Sequence, residues 1–254
     1  MLERPLMLAS LNVKGLRGDT PKPKEIKAWM ASLADPPQIL LIQEHHLCKE
    51  GIQKFGKKME FWNGIALWNE GIPMGRSQKT SVGTTILVDR ATTPYIKDHG
   101  TPVEGRAQYA TLLSSEGGSL TIINIYAQHS SNERALIWRK ITQSNFNSDH
   151  ILIGGDFNHL EEITRRGVPG SRQVHRREAI SWHEMMLRYG LADAWGLDSF
   201  RKMSKKSFIF DNGRSGHQAT VSRIDKFMVS QGIEERGGQV ESAPPSRNYR
   251  TTRR

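Results

Sequence analysis

The sequence holds a single cysteine, Cys48, among 254 residues, so no disulfide can close within it. With no secretory leader pattern at the amino terminus, the expectation is a reducing, intracellular setting. Long apolar runs are missing too. Ile39–Ile42 and Ile151–Ile153 are strand-sized, far short of the roughly 18 residues a spanning helix needs, so no membrane partner is expected. Neither C-x-x-C nor H-E-x-x-H spacing occurs, which removes the usual signs of a zinc centre. There is no internal repeat and no low-complexity stretch. What is left is a chain of the length of one large domain, able to bury about 70–75% of its unfolded surface without covalent staples.

Acidic residues are the minority. Lys and Arg number 36 against 26 Asp and Glu, a net charge of +10. That balance suits a polyanionic partner, nucleic acid first, and equally suits a solvated basic surface. The excess is uneven. Arg165–Arg177 holds five Arg and no acid, and Pro244–Arg254 holds four Arg and no acid. Without that last segment the net charge is +6. From Glu234 the chain turns polar, with Gly237-Gly238, Pro244-Pro245 and an Arg-rich end. Residues 1–235 are therefore expected to form the domain, and 236–254 a basic, disordered or loosely attached tail.

Short β-like runs alternate with a few helical ones. Strands are expected at Pro5–Val13, Gln38–Gln43, Phe61–Trp68, Val82–Val88, Ala107–Leu113, Leu120–Tyr126, Asp149–Gly154, Ser207–Phe210 and Val221–Val229. Helices are expected over Lys24–Leu33, with Ile26, Trp29, Met30 and Leu33 as its stripe, and from Ser131 or Asn132 to about Phe146. A third runs over Arg176–Tyr189, with Ile180, His183, Met186 and Leu187 on one side. Strands outnumber helices and several adjacent pairs read as hairpins. This predicts an α/β protein of the α+β type, with mixed sheets and helices outside.

Four strand ends repeat one pattern, a polar residue after an apolar run. They are Asn12 after LMLASL, Glu44 after ILLIQ, Asn124 to Tyr126 after LTII, and Asp156 with Asn158 after ILIGG. Each alone is ordinary, since a strand must end in something polar. Four together suit a cleft that gathers residues from several strands. Glu44 is a hard oxygen ligand of the kind Mg²⁺ or Mn²⁺ takes, or else a solvated surface carboxylate. His45 and His46 beside it do not suit one shared metal, because neighbours on a strand face opposite ways. In Gly154-Gly155-Asp156-Phe157-Asn158 the glycines permit a sharp turn and close approach, and Asp156 and Asn158 fall on one side of an extended segment. That pair suits water activation and contact with a phosphate oxygen; the plainer alternative is a capped turn. Arg223 and Asp225 share a face by the same spacing, with a weak intra-strand ion pair as the alternative.

Taken in order, Asn12 in LNVKGL, Glu44 in LLIQEHHL, Tyr126 in INIYA, Asp156 and Asn158 in GGDFN, and Asp225 in SRIDKF resemble the motifs of the endonuclease/exonuclease/phosphatase superfamily. Within it they resemble the apurinic-endonuclease-like domain of LINE-type (non-LTR) retrotransposons, over roughly Pro5 to Glu235. The resemblance implies a four-layer sandwich, two mixed β-sheets face to face with helices outside. It implies Mg²⁺, with Mn²⁺ as a substitute, on Glu44 near Asn12. Asp156 would orient or deprotonate the attacking water, Asn158 would hold phosphate oxygens, and Tyr126 would support the phosphate or the nucleophile. Asp225 would sit near the metal in the same cleft. The implied reaction is in-line hydrolysis of a phosphodiester in double-stranded DNA, in the nucleus, leaving a 3′ hydroxyl that primes reverse transcription. Arg223 joins the expected phosphate contacts, and the loop Asn212–Thr220 the expected source of target preference.

Two departures qualify the resemblance. The family often has Tyr-x-x-Asn, whereas His129 stands third after Tyr126 and would have to make that phosphate contact. Active members also carry a Ser/Thr-Asp-His motif about 20–30 residues beyond the position of Asp225. Here no His and no Asp follows Asp225, and the window reads SRNYRTTRR from Ser246 to Arg254. His175 and His217 come too early to replace it. The expectation is a truncated or frame-shifted end without the final strand, and an impaired enzyme. The alternatives are a non-catalytic retroelement fragment that binds nucleic acid, and a phosphatase-type phosphoesterase on the same fold.

Overall fold

Strand β2 (Ile39–Gln43) is buried along its whole length, so apolar partners must lie on both of its faces. The layering follows from this. The computed structural model describes residues 6–16, 21–56, 59, 62–75, 80–114, 117–159, 175–197, 200–202, 208–210, 220–222, 225–235 and 238–240. In chain order β1 (Leu8–Asn12) and α1 (Lys22–Ser32) precede β2. Then come α2 (Lys49–Gly56), β3 (Gly64–Asn69), β4 (Ile72–Pro73), β5 (Thr80–Ser81), β6 (Thr84–Asp89), β7 (Ile96–Val103), β8 (Ala107–Leu113) and β9 (Ser119–Tyr126). Helix α3 (Ser131–Gln143), β10 (His150–Asp156), α4 (Arg176–Tyr189) and β11 (Leu191–Asp193) follow. The remainder is β12 (Phe200–Lys202), β13 (Phe208–Phe210), β14 (Thr220–Ser222), β15 (Asp225–Ser230), α5 (Gln231–Glu234) and β16 (Gly238–Val240).

Two mixed sheets result. One has four strands in the order β1-β2-β6-β3, the other six in the order β11-β15-β10-β9-β8-β7. The β1–β2 and β9–β10 pairs are parallel, and their neighbours within each sheet are antiparallel. Side-chain alternation assigns each strand two contacts. Ile39 and Leu41 of β2, with Ile86 and Val88 of β6, meet Ala110, Leu112, Ile122 and Leu152 of the other sheet. Leu40, Ile42 and Leu87 point the opposite way, to Ile26 of α1, Phe55 of α2 and Trp62. On the far side Ile123, Ile125, Ile151 and Ile153 pack on Trp138 and Ile141 of α3 and Trp182 and Met185 of α4. The expected four-layer sandwich is therefore the observed one.

Some local expectations change. Helix α4 buries Glu178, Ser181, Trp182 and Met185, while Ile180 and Leu187 are 48% and 68% exposed. The apolar stripe expected at Ile180, His183, Met186 and Leu187 is not the seat of the helix, although Met186 is half-buried against the core. The reason is polar. Glu178 Oε1 and Oε2 accept hydrogen bonds from Arg134 Nε and Nη2 of α3 at 2.5 and 2.9 Å, and His159 Nδ1 lies 2.7 Å from Oε1. That pairing turns the helix toward Trp182. Strand β7 and helix α2 had no apolar run to announce them; β7 is largely exposed. The expected missing final strand concerns residues 241–254, which lie outside the described residues, as does most of the proposed tail; within it Gly238–Val240 pairs in parallel with β12. No helix among the described residues is long and apolar enough to cross a membrane.

A polar clasp joins the sheets beneath one rim. Asn124 of β9 is fully buried, and its Nδ2 donates to the carbonyls of Ile42 and Thr85 in the other sheet, both at 2.9 Å. Its Oδ1 accepts from Gln43 Nε2 at 2.8 Å. Truncating this side chain takes the Asn124 donor from two buried carbonyls, at about 1–3 kcal/mol each, and leaves Gln43 Nε2 with only Ser10 Oγ and the Leu41 carbonyl. Asn124→Ala is expected to lose about 3–5 kcal/mol of stability in urea unfolding, more than a simple cavity of that size costs.

Glu178 makes stability acid-sensitive. Burial alone would raise its carboxyl, but the hydrogen bonds from His159 and Arg134 outweigh burial and lower it to about 2. The folded-state value lies below the unfolded one, so its contribution is present above about pH 4.5 and fades as pH falls toward about 2. Thermal melting across that window should drop by several degrees more in the native chain than in Glu178→Gln.

Candidate active site

The carboxyl ends of β1, β2, β9 and β10 meet at the rim above the clasp. Asn12, Tyr126 and Asp156 are the last residues of their strands, and Glu44 follows β2 directly. The parallel registers Asn12↔Gln43 and Asp156↔Tyr126 bring each pair of ends level. Asn12 Nδ2 bridges the two sheets, donating to Glu44 Oε1 at 2.6 Å and to Asp156 Oδ2 at 3.0 Å. Asp225 stands opposite Asp156 across the antiparallel β10–β15 pair. Five of the expected residues thus converge from both sheets.

Electrostatics differ sharply among them. Burial pushes the Asp156 carboxyl up, and the charge of Asp225 adds to it, to about 7. Burial would also raise Glu44, but hydrogen bonds from His46, Asn12 and Tyr126 outweigh it and hold the group below its ordinary value. The Tyr126 hydroxyl is raised, first by burial and then by the charge of Glu44. The rim thus brings the carboxylates of Glu44 and Asp156 to one Asn12 amide, with Asp225 beside Asp156. These carboxylates offer hard oxygen donors, the kind that a divalent cation of the Mg²⁺ or Mn²⁺ class takes.

The backbone around these groups is unusual. Lys14, Glu44, His46 and Asn158 all have positive φ, between 45° and 57°. For residues other than glycine such conformations are uncommon and gather at functional sites. They also change two expectations. His45 and His46 do not lie on a strand; His45 turns inward, with Nε2 3.0 Å from the Asn69 carbonyl, while His46 Nε2 lies 3.3 Å from Glu44 Oε2. Asn158 is not extended either. Its N–H donates to Asp156 Oδ1 at 3.1 Å, and its Nδ2 donates to the Ala127 carbonyl at 2.8 Å. The two side chains are neighbours through a turn rather than through strand alternation. Gly155, at φ 137°, has room for no side chain, because a Cβ there would run into the Ile125 carbonyl.

Arg106 is the residue that strand-end reasoning passed over. It is 9% exposed, and its guanidinium carbon lies 5.1 Å from the Tyr126 ring centre. Its carbonyl accepts from Tyr126 N at 2.8 Å. β8 runs antiparallel to β9, so the same rim is reached by the residue just before β8, a place where the C-terminal-end pattern does not look. Asn124, grouped with Tyr126 by that pattern, belongs instead to the buried clasp. His129 is exposed beside the rim. Arg223 and most of the loop 212–220 lie outside the described residues.

Two packed mixed sheets with helices outside are a fold that this chain shares with solved phosphatase and endonuclease structures. Solved structures with this fold include the 3′ phosphatase NExo from Neisseria bound to a product DNA hairpin, 18% identical, TM-score 0.61, covering 91% of this chain and 89% of that one. An AP endonuclease from Archaeoglobus fulgidus is 15% identical, with TM-score 0.60 and coverage of 91% and 89%. The endonuclease domain of TRAS1, a telomere-specific non-LTR retrotransposon, is 14% identical, with TM-score 0.51 and coverage of 91% and 88%. In sequence, the chain is similar to an uncharacterized 149 kDa protein of transposon TX1 from Xenopus laevis, 26% identical over 160 residues. That match takes in 62% of this chain and 12% of the frog protein. No protein-family model matches the chain.

The oxygen donors at the rim give a direct test. Mg²⁺ or Mn²⁺ should raise the melting temperature, by about 1.4 kcal/mol of stability at ten times the Kd. Glu44→Gln should lose that response, read by scanning fluorimetry with Ca²⁺-free and chelated controls.

Proposed function

We propose that the chain is a divalent-metal-dependent endonuclease of the retrotransposon type, nicking one strand of double-stranded DNA. The observation that carries this reading is the junction of Asn12 and Glu44 from one sheet with Tyr126, Asp156 and Asp225 from the other. Glu44 and Asn12 would hold Mg²⁺ or Mn²⁺, which when bound supplies positive charge to offset the negative charge developing on the phosphate. Asp156 takes the proton of the attacking water, a task suited to a carboxyl raised to about 7. Asn12 holds Asp156 in place through its 3.0 Å bond. Asp225 keeps the Asp156 carboxyl basic by its charge. Asn158, Tyr126, His129 and Arg106 would donate to the phosphate, and Arg223 is a further candidate by its place in the sequence. The unit is residues 1–235, with the basic residues beyond it adding salt-sensitive affinity for DNA. Chromosomal DNA as substrate makes the nucleus the place of action, and the loop 212–220 the source of target preference.

Residues 226–254 hold neither His nor Asp. A polarising acid–base pair contributes about 10²–10⁴-fold, so nicking should be slower by that order than in a relative that carries the terminal Asp-His pair. A supercoiled-plasmid assay with Mg²⁺ tests this. The expected outcome is slow nicking, abolished in Glu44→Ala and in Asp156→Asn. Nicking at the relative's rate would show the pair to be replaced. DNA binding without nicking at any metal concentration would favour the non-catalytic reading, and release of 3′ phosphate alone the phosphatase one.

A further inference from the structure

Behind the rim, and touching none of its acids, lies a buried charged cluster that the chemistry above does not use. Arg134 in the first turns of α3, Glu178 of α4 and His159 are 9%, 1% and 2% exposed. Arg134 makes two sets of bonds with one planar group. Nε and Nη2 grip the Glu178 carboxylate at 2.5 and 2.9 Å, while Nη1 donates to the carbonyls of Gln128 and His129 at 2.9 and 2.7 Å. His159 Nδ1 meets the same Glu178 Oε1 at 2.7 Å, and its ring lies 4.4 Å from that of Trp182. The carbonyls belong to the segment just after Tyr126, and His159 to the segment just after Asp156 and Asn158. The two segments are also joined to each other, by Ala127 N donating to the Asp156 carbonyl at 2.8 Å and by Asn158 Nδ2 donating to the Ala127 carbonyl at 2.8 Å.

We infer that Arg134, Glu178 and His159 are positioning residues, a brace by which one carboxylate on α4 fixes both rim segments that carry Tyr126, Asp156 and Asn158. The inference rests on the DNA-nicking reading for its effect on rate, and on geometry alone for its effect on the two segments. A guanidinium is needed at Arg134. A lysine ammonium is a point charge and cannot span a carboxylate and two carbonyls in one plane. A shift of about 1 Å in a reacting group costs on the order of a hundredfold in rate.

The test compares Arg134→Lys with Ile141→Ala, a core variant two turns further along the same helix and outside the hydrogen bonds of the brace, in the full chain. Arg134→Lys should lower kcat for plasmid nicking about ten- to hundredfold with KM within about twofold. Ile141→Ala should melt earlier and keep its kcat. An unchanged kcat in Arg134→Lys, or an equal loss in Ile141→Ala, overturns the brace. Amide hydrogen exchange supplies an arm that needs no activity. Residues 127–130 and 157–159 should exchange faster together in Arg134→Lys and not in Ile141→Ala; unchanged exchange overturns the inference even if nicking occurs. Should the native chain nick no DNA, the nicking reading fails and exchange alone decides the brace. If Arg134→Lys does not fold, His159→Gln replaces it. That variant keeps the Arg134–Glu178 pair, so faster exchange confined to 157–159 supports the brace and no change overturns it.

Discussion

The buried amide of Asn124 is the contact on which the arrangement of the site depends. Stacked sheets held only by apolar side chains can slide, because hydrophobic contact has no direction. Hydrogen bonds from Asn124 to the Ile42 and Thr85 carbonyls, and from Gln43 to Asn124, do have direction, and they join β9 to β2 and β6. They fix the relative height of the two sheets immediately below Glu44 and Tyr126. Only at that height can the single Asn12 amide reach Glu44 in its own layer and Asp156 in the other. Unpaired amides at this depth would cost too much for the position to be incidental.

The helices outside the six-stranded sheet add a second layer of polar fixing. Trp138, Trp182 and Phe157 form an aromatic wedge, with ring centres 5.1 to 5.8 Å apart, under the rim. Within that wedge the Arg134–Glu178 pair is a buried ion pair with its hydrogen-bonding capacity taken up by backbone carbonyls and His159. Buried pairs gain little net stability against well-packed apolar groups. What this one provides is direction, in the same sense as the Asn124 clasp, and both serve residues at the carboxyl ends of β9 and β10.

Much of this was legible beforehand, and for identifiable reasons. The runs at Ile39–Gln43, Leu120–Tyr126 and His150–Asp156 are largely buried on both faces, so they are mostly apolar and stand out in the sequence. Their polar end residues then mark one rim of each sheet. Strand β7 is mostly exposed and has no such run, and α4 misleads because its inward face carries Glu178 and Ser181 while Ile180 and Leu187 face outward. Arg106 escaped notice because it precedes its strand. It reaches the rim only because β8 is antiparallel to β9.

The order and chemistry of Asn12, Glu44, Tyr126, Asp156, Asn158 and Asp225 are properties of the sequence, and the resemblance they carry sufficed to indicate two packed mixed sheets. Distances between them are not, since Asn12 and Asp156 stand 144 positions apart. Tertiary structure decided that one amide joins Glu44 to Asp156, that Asp225 faces Asp156 closely enough to raise its carboxyl, and that Asn158 turns back through a left-handed backbone. The physical reason is that hydrogen bonds and charge interactions act over a few ångströms. Local pattern places a residue on a strand end, but only the packing of the two sheets sets which strand ends come within that range.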